Sequence, residues 1–402
     1  MTKFIKKIIS QTGDLIFFFK KKEINKNNIR KILIISLYFR GDVLFNTPSI
    51  KILKKLFPDS AIDVLVKSRS KDILKGNPDI NELIVFDNIK TADYNDSTGL
   101  MINEKLSLIK RIRKEKYDLC IDFTGKYSTG LIALLGGFKY SMGLNYNGFG
   151  FCYSKFVNID TQNTIGHLSE KYSNIIKEGL SINVSEWISL NTNSNKKCEI
   201  FISKSETEKA NHYIKSLNIP EDKPLICIQI TAGWKAKEWS EKKYSELLTK
   251  LLSRDYSFVL IGSEEDKSIN FRVLDSISPD LRKFYLSLPL KINAAVIRDS
   301  DVFIGSDSIG LHLAGAVNTP SIGIFGPTNP AFSNPAGEIH TIIYNKLYCS
   351  ASDSSQYCTR NAGKTCATID CIKNITPDQV MKSIDILLNK YFYKKELKLE
   401  KN

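Results

Sequence analysis

From residue 31 onward, the hydrophobic positions fall into short apolar runs separated by amphipathic stretches. Four such runs in the first half predict buried strands: KILIISL at 31–37, AIDVLV at 61–66, ELIVF at 82–86 and DLCIDF at 118–123. The stretches between them predict helices at 43–57, 69–75 and 101–116. Continuous apolar runs are typical of parallel strands buried on both faces, and repeated strand–helix units predict a doubly wound sheet.

The same alternation restarts in the second half of the chain. The runs there are PLICIQI at 224–230, YSFVLIG at 256–262, DVFIG at 301–305 and SIGIF at 321–325. Residues 139–159 predict a strand pair with turns, and residues 181–200 lose the alternation and carry the Asn, Ser and Thr content of a linker. The pattern therefore predicts an α/β protein with an N-terminal domain at 31–190, a linker at 191–203 and a C-terminal domain at 204–388.

Composition and charge narrow the class of protein. The chain has 402 residues, of which 42% are hydrophobic and 25% charged, so it is long enough for two globular domains. The net charge is +14, but residues 1–31 contribute +7 and residues 390–402 contribute +3. The two domains are thus only mildly basic. This distribution argues against nucleic acid as a partner and favours basic ends that contact an anionic surface.

The basic N-terminal extension, residues 1–30, predicts a membrane contact. Apolar residues in its first 22 positions fall on one helical face, with lysines elsewhere. The uncharged run is too short to span a bilayer and has no cleavage pattern of the signal-peptide kind. We expect a cytoplasmic protein that lies at the inner-membrane surface through this helix; the alternative is a helix packed on its own domain. Residues 389–402 form a second basic tail.

The first candidate for chemistry is Asp42, which follows the first predicted strand and Gly41 at the start of a helix. One interpretation makes Asp42 an N-cap of that helix. The other makes it a general base, because Gly41 lets the backbone turn closely and leaves the carboxylate exposed.

The second candidate is the strand–turn–helix–strand unit at 301–330. The GSDS turn at 305–308 precedes a helix whose N-terminal N–H groups and positive dipole end suit a phosphate. The alternative is a plain βαβ unit in which Asp307 or Ser308 caps the helix. The loop TAGWKAKEWS at 231–240 stands at the same sheet edge. It carries Thr231, Gly233 and Lys237, and a lysine beside a glycine turn suits a diphosphate.

A third group of side chains follows the strand that ends at Gly262. Glu264 and Glu265 come next and could accept the two hydroxyls of a ribose. Acidic residues in a first helical turn also stabilise the helix without any ligand, so both interpretations stay open.

These blocks together resemble glycosyltransferase family 9, the heptosyltransferases of lipopolysaccharide assembly, over about residues 31–385. The chain reads RGDVLFNTP at 40–48, which resembles the family's GD-V-L-x-x-x-P block with Arg40 directly before Gly41. It also matches the G…K-x-W block at 233–239 and the D-S/T…H…A…P…FG-x-T block at 307–328, and has the family histidine at His167. It departs from the pattern at Ile309, where the family usually has glycine and Gly310 follows instead. Ser240 replaces a common proline, and the N-terminal extension is additional.

The resemblance implies a GT-B fold, with two Rossmann-like doubly wound domains facing a cleft, and an inverting, metal-independent glycosyl transfer without a cofactor. The donor would be a nucleotide-sugar, with ADP-heptose suggested by the family, and the acceptor a lipid-linked glycan of the lipopolysaccharide core or a related surface glycan. Asp42 would be the catalytic base. The remaining site residues that the resemblance implies are the following: Arg40, Gly41 and Asn46 on the acceptor side; Thr231, Gly233, Lys237, Asp307, Ser308, Ile309, Gly310, Leu311 and His312 at the donor diphosphate; and Gly262, Glu264 and Glu265 at the nucleoside.

Two questions stay open from the sequence. Four of the eight cysteines lie in the segment 349–371, namely Cys349, Cys358, Cys366 and Cys371, and their spacing is not a standard zinc pattern. A structural metal, free thiols and disulfides are all compatible with it. Two rival functions also fit the architecture: an isomerase of the nucleotide-sugar 2-epimerase kind, and a non-catalytic scaffold that binds a nucleotide-sugar.

Overall fold

A computed structural model describes residues 23–87, 101–158, 166–192 and 196–393. The expected membrane-contacting helix at 1–22 and the end of the basic tail, residues 394–402, lie outside this described part. Within these ranges no helix is long and apolar enough to cross a membrane.

The chain divides into two compact units. The first unit contains Met1–Thr161 and Leu168–Cys198, and the second contains Gln162–His167 and Glu199–Asn402. Gly166 and His167 therefore belong to the second unit, although they interrupt the first unit in sequence.

The first unit is built on a six-stranded, all-parallel sheet in the order β3-β2-β1-β4-β5-β6. Its strands are β1 (Lys31–Ser36), β2 (Ala61–Val66), β3 (Glu82–Val85), β4 (Leu119–Asp122), β5 (Tyr140–Leu144) and β6 (Lys155–Val157). The predicted strand pair at 139–159 is thus confirmed as β5 and β6. β1, β2 and β4 are almost completely buried, as their continuous apolar sequences predict.

Helices of the first unit are α1 (Arg40–Phe45), α2 (Thr47–Leu56), α3 (Lys71–Leu74), α4 (Met101–Glu115), α5 (Tyr127–Leu135), α6 (Leu168–Gly179) and α7 (Val184–Leu190). Short 3-10 helices occur at Lys26–Asn28, Ser68–Ser70 and Tyr146–Cys152. α7 lies in the last part of the predicted N-terminal domain, in the stretch from residue 181 where the sequence alternation of strands and helices is lost. Asn183 accepts a hydrogen bond from the Glu186 N–H, so this polar residue caps a helix.

The predicted single helix at 43–57 is also wrong, because it starts earlier and is broken in two at Asn46. Pro48 has no N–H with which to continue the hydrogen bonds of α1. The Leu44 carbonyl instead accepts a hydrogen bond from the Thr47 hydroxyl at 2.7 Å. The Asn46 oxygen accepts one from the Ser36 hydroxyl at 2.6 Å, which ties the break to the end of β1.

The second unit carries a second six-stranded parallel sheet, in the order β12-β11-β10-β7-β8-β9. Its strands are β7 (Leu225–Gln229), β8 (Ser257–Gly262), β9 (Tyr285–Ser287), β10 (Val302–Ser306), β11 (Ser321–Phe325) and β12 (His340–Tyr344). Its helices are α8 (Lys204–Ser216), α9 (Glu241–Ser253), α10 (Lys267–Asp275), α11 (Leu290–Arg298), α12 (Ile309–Val317), α13 (Pro330–Ser333), α14 (Asp370–Lys373) and α15 (Pro377–Leu387).

Short helical turns complete the second unit. The 3-10 turns are Lys235–Lys237, Glu264–Asp266 and Pro279–Phe284, and a π-helical turn, Leu388–Phe392, follows α15. The predicted α/β class with two Rossmann-like, doubly wound units is confirmed. In each sheet the carboxyl ends of the parallel strands meet at one edge, and this edge is where open α/β sheets bind ligands.

Candidate active site

A buried ion pair lies at the carboxyl edge of the second sheet. Asp307 directly follows β10, and Lys237 comes from the loop after β7. Lys237 Nζ is 2.6 Å from Asp307 Oδ2 and also donates to the Asp307 backbone carbonyl at 2.9 Å. The two side chains are 11% and 7% exposed. Ser333, at the end of α13, donates its hydroxyl to Asp307 Oδ1 at 2.8 Å, so both carboxylate oxygens are bonded.

His312, on α12, completes this cluster, and its charge state follows from its surroundings. Its Nε2 lies 3.6 Å from Asp307 Oδ1. Burial, opposed by Asp307 but assisted by the charges of Lys237 and His167, lowers the pKa of His312 to about 4. His312 is therefore neutral at pH 7, and its proximity to Asp307 is not a second ion pair.

The charge state of Asp307 is the opposite case. Burial alone raises the pKa of its carboxyl, but the Lys237 ammonium, the His312 ring and the hydrogen bonds outweigh burial and hold that pKa well below its usual range. Asp307 is ionised at neutral pH. The cluster thus holds one cation, one anion and one neutral imidazole.

Trp234 forms a wall beside Lys237. The Lys237 Nζ lies 3.9 Å from the centroid of the indole ring, within the range of a cation–π contact. The Trp234 ring N–H donates to the Ala362 carbonyl at 3.0 Å, which anchors the ring to a segment 128 positions further along the chain. Gly233, beside it, is exposed, and a Cβ added there would meet nothing within 4 Å.

The N-terminus of α12 differs from the prediction that all its N–H groups face a phosphate. Gln229, at the end of β7, accepts hydrogen bonds through Oε1 from the Gly310 N–H at 3.0 Å and the Ser308 hydroxyl at 3.1 Å. A Cβ on Gly310 would lie 2.2 Å from that same oxygen. The close approach of Gln229 explains why glycine stands at 310. The N–H groups of Ile309 and Leu311 are the remaining donors of the first turn.

The other predicted donor residues lie along the same edge. Thr231 is buried in the loop after β7. Gly262 ends β8 at a tight corner, where an added Cβ would lie 2.8 Å from the Tyr285 hydroxyl. Glu264 and Glu265 follow in an exposed 3-10 turn. Glu264 is 3.0 Å from Lys267 Nζ, so the expected ribose contact competes with a surface ion pair.

In the first unit, Asp42 lies in the first turn of α1, just beyond the carboxyl end of β1. The N-cap of α1 is Phe39, so the capping interpretation of Asp42 is wrong. Asp42 and Gly41 are both half-buried. Arg40 is exposed and donates through Nε to the Arg69 carbonyl at 2.8 Å, which places it on the surface beside the turn.

Asn46 does not present its side chain to an acceptor as expected. It is 1% exposed, and its amide oxygen is bonded to Ser36. Asn46 Nδ2 has no hydrogen-bond partner within the described ranges. Its place in the fold is to hold the break between α1 and α2.

A buried carboxyl that the sequence did not single out lies at the end of β4. Asp122 accepts hydrogen bonds from the Thr124 and Gly125 N–H groups at 2.8 and 3.0 Å and from the Tyr153 hydroxyl at 2.8 Å. Burial raises the pKa of Asp122 to about 6. Thr124 in turn accepts from the Leu37 N–H at 2.9 Å, so this network holds the loop that leads to α1.

The cysteine-containing segment packs onto the second unit through its backbone. The Cys358 N–H donates to the Pro327 carbonyl at 2.9 Å, and the Asn329 N–H donates to the Gln356 carbonyl at 3.0 Å. All eight cysteines are free thiols. Over the ranges that the structure describes, no three His, Cys, Asp or Glu side chains are grouped so as to hold a metal ion, and the suggested structural metal is not supported there.

A sequence model of glycosyltransferase family 9 (heptosyltransferase) matches residues 105–362, which is more than half of the chain. The chain belongs to glycosyltransferase family 9. The resemblance drawn from its motifs is confirmed, and the protein is a glycosyltransferase. The matched region begins after the block around Asp42, so the role of Asp42 stays a prediction.

Individual relatives of this family 9 enzyme agree with the assignment. Lipopolysaccharide heptosyltransferase 3 of Escherichia coli is 28% identical over 306 residues, covering 74% of this chain and 84% of the relative. Lipooligosaccharide heptosyltransferase 2 of Haemophilus influenzae is 22% identical over 368 residues, covering 89% of this chain and 99% of the relative.

Solved structures resemble the family 9 enzyme in fold. A family 9 glycosyltransferase from Veillonella parvula has a TM-score of 0.75 at 20% identity, with 92% of this chain and 99% of that chain covered. The Escherichia coli ADP-heptose lipopolysaccharide heptosyltransferase II has a TM-score of 0.71 at 19% identity, with 90% and 99% covered. At these identities the likeness shows a common fold.

Four side chains around the Lys237–Asp307 ion pair were not predicted as site residues. Gln229, Ser333 and Trp234 contact the predicted residues directly, and Lys364 lies on the Trp234 ring. The sequence carries a signal for Gln229 alone, because it is the one polar residue in the otherwise apolar strand LICIQ.

Proposed function

We propose that this family 9 enzyme transfers heptose from ADP-heptose to a hydroxyl of a lipopolysaccharide-core or related lipid-linked glycan, with inversion at the anomeric carbon and without a metal ion. The Lys237–Asp307–His312 cluster carries the proposal, because it lies at the carboxyl edge of the sheet beside the N-terminus of α12. The names of the relatives support the choice of sugar, and the name of the solved Escherichia coli ADP-heptose lipopolysaccharide heptosyltransferase II supports the nucleotide.

On the donor side, the diphosphate is bound by groups that already stand in fixed positions. Asp307 holds Lys237 through two hydrogen bonds, so a third N–H of the ammonium is left for a phosphate oxygen. The first-turn N–H groups of Ile309 and Leu311 supply further donors at a helix N-terminus. Such prearranged donors stabilise the charge that the leaving diphosphate gains in the transition state. Gly262 and the carboxylates after it would contact the nucleoside.

On the acceptor side, Asp42 acts as the general base. The acceptor oxygen attacks the anomeric carbon while the bond from that carbon to the diphosphate oxygen breaks. The hydroxyl proton passes to the Asp42 carboxylate, and the electron pair of the broken bond leaves with ADP. A single displacement of this kind inverts the anomeric configuration. Asp42 suits the role because it is half-buried at a strand edge, where a carboxylate keeps access to substrate.

Two observations support metal independence: the position of the Lys237 ammonium and the position of the D-x-D carboxylates. Lys237 places an ammonium N–H donor, rather than a metal ion, at the proposed diphosphate position. The D-x-D sequence of the chain, Asp299 to Asp301, lies at the amino end of β10, at the opposite edge from Asp307. Activity should therefore persist in excess EDTA. An absolute requirement for Mg²⁺ or Mn²⁺ would contradict this part of the mechanism.

The experiment that tests the proposal separates donor binding from turnover. ADP-heptose and the ADP-, GDP- and UDP-hexoses are titrated into wild type and Asp42→Ala by calorimetry, and transfer is then measured with a core glycan acceptor. We expect selective binding of ADP-heptose by both proteins and a loss of about 10²–10⁴-fold in kcat for Asp42→Ala. Asp72→Ala, which removes another first-turn carboxylate in the same unit, is the control and should retain turnover.

Other outcomes are equally informative. Binding of a UDP- or GDP-sugar alone would overturn the donor, and unchanged turnover in Asp42→Ala would overturn the base. Tight donor binding without transfer to any acceptor would favour the non-catalytic scaffold.

We also propose that the enzyme works at the cytoplasmic face of the inner membrane, held there by its basic N-terminal extension. The support is the charge of +7 in residues 1–31 together with the apolar positions among them. Such a segment gains about 1 kcal/mol per Lys or Arg near an anionic surface.

A further inference from the structure

The segment between β12 and α14 contains a left-handed turn that lies against the donor loop. Asn361, Ala362 and Gly363 have φ angles of 49°, 56° and 78° in succession. Residues with a Cβ rarely adopt this region, and two of the three residues here carry one. Strained backbone of this kind persists only where the surrounding structure holds it, and it is concentrated at binding sites.

Two contacts with the donor side of the sheet hold the turn. The Ala362 carbonyl accepts the hydrogen bond from the Trp234 ring N–H at 3.0 Å. Gly363 packs so closely that an added Cβ would lie 2.7 Å from the Ala236 Cβ and 3.0 Å from the Pro327 Cβ. The turn is thereby fixed to the loop that carries Lys237 and to the chain just after β11.

The next residue, Lys364, is brought to the same indole ring as Lys237. The Nζ of Lys364 is 5.8 Å from the centroid of the Trp234 ring, and the Nζ of Lys237 is 3.9 Å from it. Lys364 is exposed, whereas Lys237 is largely buried. The fold thus places two ammonium groups around one aromatic side chain.

The charges of these lysines are balanced differently. Lys237 is paired with Asp307, and its neighbour Lys235 is 2.9 Å from Glu238 Oε2. Across the described ranges, no carboxylate oxygen lies within 4.0 Å of Lys364 Nζ. Because the ion pair with Asp307 neutralises Lys237, the cluster of Lys237, Asp307 and His312 has no net charge at neutral pH. A diphosphate, which carries at least two negative charges, calls for a further cation.

We propose that Lys364 is a second phosphate-binding lysine of the donor site, held there by the left-handed turn Asn361–Gly363 and the Trp234 ring. This inference rests on the proposed nucleotide-sugar function, and it adds a residue from the cysteine-containing segment to the site. Lys237 positions and hydrogen-bonds the diphosphate from the buried side, and Lys364 supplies the uncompensated charge from the solvent side.

The test measures the binding of ADP and adenosine by calorimetry to the full chain. We expect Lys364→Ala to weaken ADP binding about tenfold and to change adenosine binding less than about twofold, because a charge-assisted hydrogen bond to phosphate is lost. Lys364→Arg keeps the charge and should retain most of the ADP affinity. Lys346→Ala removes another exposed lysine of the same segment, one whose Nζ is 3.8 Å from Asp353, and should bind ADP as wild type does.

A second pair of variants tests the turn itself. Gly363→Ala places a Cβ against Ala236 and Pro327, so it should displace Lys364 and weaken ADP binding, again with adenosine unaffected. Ala362→Gly removes a Cβ from a left-handed position while keeping the carbonyl that Trp234 needs, and its ADP binding should be unchanged. Because both variants alter the backbone, circular dichroism and a melting curve accompany each titration.

The outcomes distinguish this inference from the proposed function. If Lys364→Ala binds ADP as tightly as wild type while Lys237→Ala does not, the inference is overturned and the donor site stands. Equal losses for ADP and adenosine in Lys364→Ala would indicate a general distortion and also overturn it. If wild type binds none of ADP, GDP and UDP, the proposed function and this inference fail together.

Discussion

The buried ion pair between Lys237 and Asp307 allows a quantitative prediction. Removing Lys237 leaves an ionised carboxylate at a position where the two side chains are only 11% and 7% exposed. Breaking a buried pair in this way typically costs about 3–5 kcal/mol, because the remaining charge is neither solvated nor paired. Lys237→Ala should therefore lower the free energy of unfolding by about that amount at pH 7.5. Lys235→Ala, in the same loop, should cost less than about 1 kcal/mol, because its side chain is 80% exposed.

The stability lost in Lys237→Ala should become smaller as pH falls, because of the proton that His312 can bind. In wild type, burial and Lys237 lower the pKa of His312 from 6.5 to about 4. Between these two pH values the unfolded chain binds a proton at His312 and the folded protein does not. His312 thus costs the wild type stability as pH falls from 6.5 to 4, by about 3 kcal/mol in all. Lys237 is one cause of the low pKa of His312, and it is also the main cation beside Asp307. Its removal therefore raises the pKa of both groups in the folded state. The variant's folded state then binds a proton more readily, and its deficit should shrink between pH 7.5 and 5.5.

Urea unfolding followed by circular dichroism, at pH 7.5 and pH 5.5, measures both quantities. The double variant Lys237→Met, Asp307→Asn removes both charges and should recover more than half of the lost stability, while donor binding stays lost. The reasoning would be refuted if Lys237→Ala cost no more than Lys235→Ala at pH 7.5, or if its deficit grew toward pH 5.5.

Three further predictions test other parts of the molecule. Gly310→Ala should lower the free energy of unfolding by about 1–3 kcal/mol, because the added Cβ would lie 2.2 Å from Gln229 Oε1. In the control Gly233→Ala the added Cβ meets no atom within 4 Å, so the urea midpoint should be unchanged. Asp122, whose pKa is raised by burial from 3.8 to about 6, stabilises the fold below pH 4 and loses that contribution as pH rises through 6. Between pH 4 and 7 the free energy of unfolding should therefore fall less in Asp122→Asn than in wild type, by up to about 3 kcal/mol. Urea titrations over that pH range measure this difference. An equal fall in both proteins would contradict the raised pKa. Deleting residues 1–22 should release the enzyme from anionic vesicles in a sedimentation assay while leaving transfer to a soluble acceptor intact, and continued binding to the vesicles would assign the membrane contact elsewhere.

Many elements of the fold could be predicted from local pattern alone. Strands such as β1 and β2 are continuous runs of Ile, Leu and Val, and a strand buried on both faces needs no other information to be recognised. The approximate positions of Asp307 and Lys237 followed as well, because residues just after parallel strands reach the same edge of a sheet. Errors arose where one side chain altered the backbone: Pro48 and Asn46 divide a predicted helix in two, and Asn183 caps a helix that the alternation did not predict.

By itself, the sequence determined the alternation of strands and helices, the order of the family blocks and the concentration of positive charge at the two ends. These properties depend on residue type and on neighbours in the chain. The tertiary structure decided which groups meet: Gln229 with Gly310, Asp307 with Ser333, and Trp234 with Ala362. It also decided the charge of His312, because burial and a nearby ammonium are properties of position. Contacts between residues far apart in the chain are set by the packing of the whole sheet and its loops, and no local pattern encodes them.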